Sequence, residues 1–315
     1  MAAPVVVALL MPFAVAAQGT DIPDWLAVHV GPDEGQIAPV VLHRARALHQ
    51  SKVKKGLVKN PCYLAMDATR PSTLPNGAAA KRFFVICEAD KTFWATSSGY
   101  GNGRKLKAAD FSNGRQCAKH FSNAEGSKLS AGGAYLTAES RASFKGYYNQ
   151  SGQRVPFYRT FLLFDGEGET RNARERAIGG HQAIFLRWTC RFKKPDSPHA
   201  DAQGYVRFGR LVDYTSGRSN GCTTWSARDT KAILDLVEGQ PTTLYLYPES
   251  KDIDAVARAV KANTSLADSG AYWNATCLDE IGAPKFWPKR QLQPIINRWR
   301  RSLAPSPARV LPVCE

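Results

Sequence analysis

Past its first seventeen residues the chain has no apolar run long enough to cross a bilayer as a helix, which needs about 20 residues, so the remainder is expected to be soluble. No zinc-finger spacing appears, and no aromatic–basic signature of RNA binding, so nucleic acid is not an expected partner. The glycine-rich stretch Ser98-Gly99-Tyr100-Gly101-Asn102-Gly103 lacks a Walker lysine and a strand–loop–helix setting, and reads as a plain loop. No internal repeat, metal-ligand spacing or cofactor motif is present, so neither metal nor cofactor is expected. Acidic residues are scarce, 27 against 42 basic ones, which leaves a net charge of +15.

What is there points outside the cell. Met1 to Ala17 reads as a signal peptide, with an apolar stretch from Val5 to Met11 followed by small residues at Ala14 to Ala17, although no Lys or Arg precedes it. Seven cysteines suit an oxidising compartment. On an exported protein, the basic surface suits an anionic polymer or lipid surface, wall glycopeptide among them.

An odd number of cysteines leaves at least one thiol unpaired. Cys62, Cys87, Cys117, Cys190, Cys277 and Cys314 lie in strand, loop or near-terminal contexts that suit bridges. Cys222 differs. It follows Gly217-Arg218-Ser219-Asn220-Gly221, a stretch rich in turn formers, and it precedes Ser226-Ala227-Arg228-Asp229, which has the form of a helix N-terminal capping box. A thiol held just before a helix N-terminus is expected to ionise readily. The expectation is up to three disulfides and one working thiol, with the pairing left open; a buried or bridged cysteine is the competing reading of Cys222.

Residues 18–59 read as a polar lead-in and an amphipathic basic helix from Pro39 to about Lys55, with His43 and His49 on its surface. Strands are expected at Cys62–Asp67, Arg82–Cys87, Thr92–Thr96, Tyr135–Thr137, Phe144–Tyr148, Phe161–Phe164, Ala177–His181 and Thr243–Tyr247. One helix follows Cys222, and Phe111 to Gly133 reads as irregular chain near an active-site mouth. Many short strands with few helices predict a mainly β (α+β) fold, a mixed sheet closed as a sandwich or barrel. After Pro248 two helices are expected, Ile253–Asn263 and Lys289–Leu303, forming a C-terminal helical appendage over 249–315. Its basic end (Arg298, Arg300, Arg301) reads as a solvated face or a contact with wall or membrane surface.

The order of motifs over residues 60–248 resembles the murein L,D-transpeptidase catalytic domain (YkuD-like), in the branch with G-R-S-x-G-C. That motif is Gly217 to Cys222 here. Upstream it is preceded by Phe111-Ser112-Asn113, by Ser130 to Leu136, and by Asp165-Gly166 with Arg171-Asn172-Ala173-Arg174-Glu175-Arg176-Ala177-Ile178 leading to His181. The resemblance implies a periplasmic or envelope enzyme acting on peptidoglycan stem peptides by acyl transfer to an amine, or to water in an L,D-carboxypeptidase variant. It makes Cys222 the nucleophile and His181 the base. Gly221 and Cys222 would offer oxyanion N–H groups, and Ser219 would order the loop. Arg218 can orient a substrate carboxylate or form a structural ion pair, and Asn220 and Gln182 would line the substrate.

The chain departs from the family at four points. Gln182 replaces the glycine after the histidine, Asn220 stands where many members carry a second histidine, an insert around 187–210, carrying Cys190 and His199, separates His181 from Cys222, and Ser98 replaces an upstream histidine. His199 stands as an alternative base. The competing function is a non-catalytic wall-binding protein on a degenerate scaffold.

Overall fold

The computed structural model describes residues 22–150, 153–183, 190–193, 195–196, 200–208, 218–303 and 313–314. The expected signal peptide and His199 lie outside them.

Helix α1 (Asp24–Ala27) and helix α2 (Pro39–Lys54) lead into β1 (Cys62–Asp67), β2 (Phe83–Cys87) and β3 (Thr92–Thr96). Four short strands follow: β4 (Tyr100–Gly101), β5 (Lys105–Leu106), β6 (Ala109–Asp110) and β7 (His120–Phe121). Next come β8 (Gly133–Gln150), β9 (Gln153–Gly166), β10 (Gly179–Gln182), β11 (Cys190–Lys193), β12 (Tyr205–Phe208), β13 (Arg218–Ser219) and β14 (Thr223–Trp225). The chain continues through α3 (Ala227–Val237), β15 (Thr243–Tyr247), α4 (Ser250–Ala262), α5 (Ala275–Ile281), β16 (Lys285–Phe286), α6 (Lys289–Arg301) and β17 (Val313–Cys314).

Eight strands form one sheet in the order β14-β10-β9-β8-β15-β1-β2-β3. Its two edges approach each other where Gly99 N–H, just past β3, donates to the Thr224 carbonyl on β14 at 3.2 Å. Trp225 of β14 meets Phe83 of β2 edge-on, with centroids 5.1 Å apart. The result is an α+β fold with a mainly β, nearly closed core.

Strand alternation builds two cores. Leu64, Met66, Phe83, Val85, Leu244 and Leu246 face the interior, while Tyr63, Ala65, Phe84, Ile86, Tyr245 and Tyr247 face α2. Covered on both sides, β1, β2 and β15 read as unbroken apolar runs rather than alternating ones. Helix α2 has Pro at its first position, where no N–H is needed, and buries Val41, Leu42, Ala45 and His49. His49, expected on the surface, instead stacks on Tyr63 with centroids 5.0 Å apart, because it falls on the same stripe as Ala45.

The helical character expected after Pro248 is present, and these helices join the main packing. Ile253 and Val256 of α4 and Cys277 of α5 lie in the interior cluster. Leu292 and Ile296 of α6 close a third cluster with Phe111, Ala124 and Leu129. Among the described residues two disulfides form, Cys62–Cys87 between paired strands and Cys117–Cys277 between the irregular segment and α5. Both fit an exported protein. Within the insert, β11 and β12 make an antiparallel pair joined by β17, whose Cys314 backbone lies opposite that of Cys190. Among the described residues no helix is long and apolar enough to cross a membrane.

Candidate active site

Four neighbouring strands, β8, β9, β10 and β14, share one outward face, and period two decides which side chains stand on it. The register sets Arg141 opposite Phe161 and Ser143 opposite Arg159. It also sets His181 opposite Phe161 on one side and Thr224 on the other. Cys222 is two residues before Thr224 and therefore belongs to the same face. These residues, with Lys128, Arg176, Asn102, Ser219 and Asn220, line a cleft of about 770 Å³. Cys222 and His181 thus meet in one cavity although the insert separates them in sequence.

The opposite face explains the glycine before the histidine. The Trp225 ring packs against β10, and a Cβ on Gly180 would come within 1.9 Å of it. Gln182 alternates with His181 and does not line the cleft; its contribution is its backbone carbonyl, 2.8 Å from His181 Nδ1.

The loop before Cys222 is tied by its own side chains. Ser219 Oγ accepts from Gly221 N–H at 3.0 Å and donates to the Cys222 carbonyl at 2.5 Å. Gly221 has φ +112°, and a Cβ there would meet the Leu129 carbonyl at 2.9 Å and Ile178 at 3.0 Å. Only glycine satisfies both demands. Since its N–H serves Ser219, the oxyanion role expected of Gly221 is not open to it in this arrangement. Arg218 pairs with Tyr100 through the β13–β4 backbone ladder; its side chain lies outside the description. Asn220 is exposed at the rim of the cleft.

Cys222 is buried, 7% exposed, and belongs to neither of the two disulfides seen among the described residues. Its thiol donates to the Ala177 carbonyl at 3.5 Å. The sequence placed it at a helix start, but Thr223, Thr224 and Trp225 are strand formers and pair with β10. Helix α3 begins only at Ala227, capped by Ser226 Oγ accepting from Asp229 N–H at 3.0 Å.

The positive field comes from side chains instead. Burial draws the Arg159 guanidinium down to about 10, opposed by the charge that the Cys222 sulfur carries when ionised. Burial likewise lowers Arg176, with Tyr135 and Cys222 opposing. The attraction between these cations and an ionised sulfur is reciprocal. Lys128, Arg141, Arg159 and Arg176 all line the cleft, and no carboxylate does among the described residues.

Arg159, Arg141 and Lys128 did not stand out in the sequence. The signal was the alternation Arg159-Thr160-Phe161-Leu162-Leu163, which puts Arg159 on the side of β9 that faces the histidine once the register is known. Phe161 stacks against the His181 ring at 5.6 Å between centroids. Arg159 Nη1 lies 2.8 Å from His181 Nδ1. Among the described residues no cluster of His, Cys, Asp and Glu is arranged to hold a metal ion.

Comparison with family models, with curated proteins and with solved structures finds no match to this chain.

Proposed function

We propose that this protein is an exported cysteine acyl-transferase of the periplasm or cell envelope, acting on peptidoglycan stem peptides in the manner of an L,D-transpeptidase. The observation that carries the reading is that the thiol of Cys222 and the imidazole of His181 line one cationic cleft. The resemblance of the motifs around both residues supplies the substrate class.

The chemistry divides one acyl transfer into two steps. His181, neutral with its proton on Nδ1 toward the Gln182 carbonyl, takes the thiol proton at Nε2. The sulfur attacks the donor amide, and the collapsing intermediate expels an amine that takes the proton back from Nε2, leaving a thioester on Cys222. An acceptor amine then gives its proton to His181, attacks the thioester and releases the thiolate; with water as acceptor, the product is a free carboxylate. The cations of the cleft would hold carboxylates of the substrate, and exposed Arg298 and Arg301 on α6 would meet anionic wall or lipid.

A second reading, a wall-binding protein on the same scaffold, draws on two features: Gly221 N–H is engaged by Ser219, and Arg159 faces His181 Nδ1. One experiment separates the two. Native protein is incubated with a carbapenem-type β-lactam and a muropeptide donor, and intact mass is recorded. The enzyme gains an adduct that Cys222→Ala abolishes. A protein that sediments with purified wall yet gains no adduct and turns over no donor is the binding module.

A further inference from the structure

Among the described residues, His181 Nδ1 has two neighbours that make incompatible demands. The Gln182 carbonyl, at 2.8 Å, can only accept a hydrogen bond. The Arg159 guanidinium, also at 2.8 Å, can only donate one. A neutral imidazole carries a single N–H. If Nδ1 accepts from Arg159, the proton sits on Nε2, and that nitrogen has no lone pair for the thiol proton. If Nδ1 donates to Gln182, Nε2 carries the lone pair that a base needs, and Arg159 must be elsewhere. The imidazolium that follows proton transfer excludes Arg159 more strongly still, since N–H would face N–H and cation would face cation.

Arg159 has a reason to leave. Its Nε is buried with no hydrogen-bond partner among the described residues, so its fork is only partly used. Arg141 stands on the adjacent strand on the same face, and Lys128 and Arg176 complete a cationic lining. A carboxylate entering the cleft would offer the fork two charge-assisted bonds in place of one to a neutral nitrogen.

We propose that Arg159 is a carboxylate-sensing positioning residue: at rest it holds His181 Nδ1 and keeps the base in its inactive tautomer, and a substrate carboxylate draws it off and releases Nε2. The inference rests on the proposed function for its consequence. Its geometry can be tested without turnover. The tautomer responds to anionic substrates only, so a neutral analogue that fits the cleft leaves the base inactive.

The test is nitrogen-15 NMR of His181 in the full chain, assigned by the loss of its signals in His181→Gln. The probes are N-acetylglycine and, as the neutral control, N-acetylglycinamide. With neutral imidazole, the resting protein is expected to carry its proton on Nε2. N-acetylglycine moves it to Nδ1, the amide does not, and Arg159→Gln shows Nδ1–H with nothing added. A resting Nδ1–H signal, or an unchanged tautomer in Arg159→Gln, overturns the proposal.

Alkylation of Cys222 gives a second reading. The ratio of iodoacetate to iodoacetamide rates falls about tenfold or more in Arg159→Gln, the size of one charge-assisted contact; an unchanged ratio counts against the carboxylate site. If the tautomer moves as expected but no acyl donor ever modifies Cys222, the proposed function fails and this inference stands.

Discussion

The guanidinium of Arg176 donates to the Leu129 carbonyl at 2.5 Å, and that contact joins the C-terminal helix to the nucleophile. The Leu129 side chain packs with Leu292 and Ile296 of α6. Its carbonyl holds Arg176 and lies against Gly221, and the next residue, Ser130, donates through Oγ to the Gly221 carbonyl at 3.4 Å. Residues 124–130 are therefore a wedge between α6 and the loop of Cys222.

Loosening the wedge should be felt at the thiol. Ile296→Ala removes a fully buried side chain and is expected to cost about 2–5 kcal/mol of stability. Urea unfolding measures that loss. Acylation of Cys222 should slow in the same variant, although Ile296 does not line the cleft; an unaltered acylation rate would show that the wedge does not position the nucleophile.

Gly221→Ala forces a Cβ onto a backbone at φ +112°, against the Leu129 carbonyl. Strain of about 1–3 kcal/mol is expected. Because the strained residue adjoins Cys222, the rate of adduct formation should fall by more than the loss of stability accounts for. Thermal unfolding and intact-mass kinetics on one sample compare the two.

Gly180→Ala acts from the other face of β10. A methyl group would sit 1.9 Å from the Trp225 ring, and overpacking of this kind typically costs about 1–3 kcal/mol. The expected signature is a lower unfolding midpoint with altered Trp225 fluorescence. Wild-type stability would mean that the ring moves freely, contrary to its complete burial.

The two disulfides should differ in worth. Cys117–Cys277 closes a separation of 160 residues and Cys62–Cys87 one of 25. The loop-entropy relation gives about 5 and about 3.5 kcal/mol. Cys117→Ser/Cys277→Ser should therefore lower the urea midpoint more than Cys62→Ser/Cys87→Ser. Peptide mapping without reductant should also find Cys222 unbridged.

Acid should weaken the fold before its carboxylates titrate. Burial, aided by Lys119 and Lys285, draws His120 down to about 4, where its Nδ1 accepts from Trp287 Nε1 at 3.1 Å. The unfolded chain, with an imidazole near about 6.5, binds a proton in that window that the folded chain refuses. Stability is thus fully present above about 6.5 and is lost as pH falls toward 4. His49, lowered by burial, has the same sign. His120→Gln should flatten this part of the profile in urea titrations at stepped pH; an equal slope in the variant assigns the loss to other groups.

The strands and helices that carry strong local patterns were legible. Cys62–Asp67, Thr92–Thr96 and Thr243–Tyr247 form as expected, and Pro39–Lys54 ends one residue short of its expected limit. Tyr135–Thr137 and Phe144–Tyr148, expected as separate strands, run on as β8, and the expected Phe161–Phe164 is only part of β9; the two strands pair as one long hairpin. Polar and charged residues such as Arg141 and Arg159 interrupt the apolar pattern there because one face lines a cleft rather than a core.

The chain by itself determined that one cysteine would stand apart in a glycine-bearing loop, since turn formers and a positive-φ position are local properties. It also settled which segments alternate, and so how strongly each could pair. Only the tertiary structure decided what surrounds that thiol. Strand register, which sums contacts between residues far apart in sequence, brought Arg159 to His181 and set Thr223–Trp225 as a strand, so that guanidinium groups rather than a helix end supply the positive charge beside Cys222.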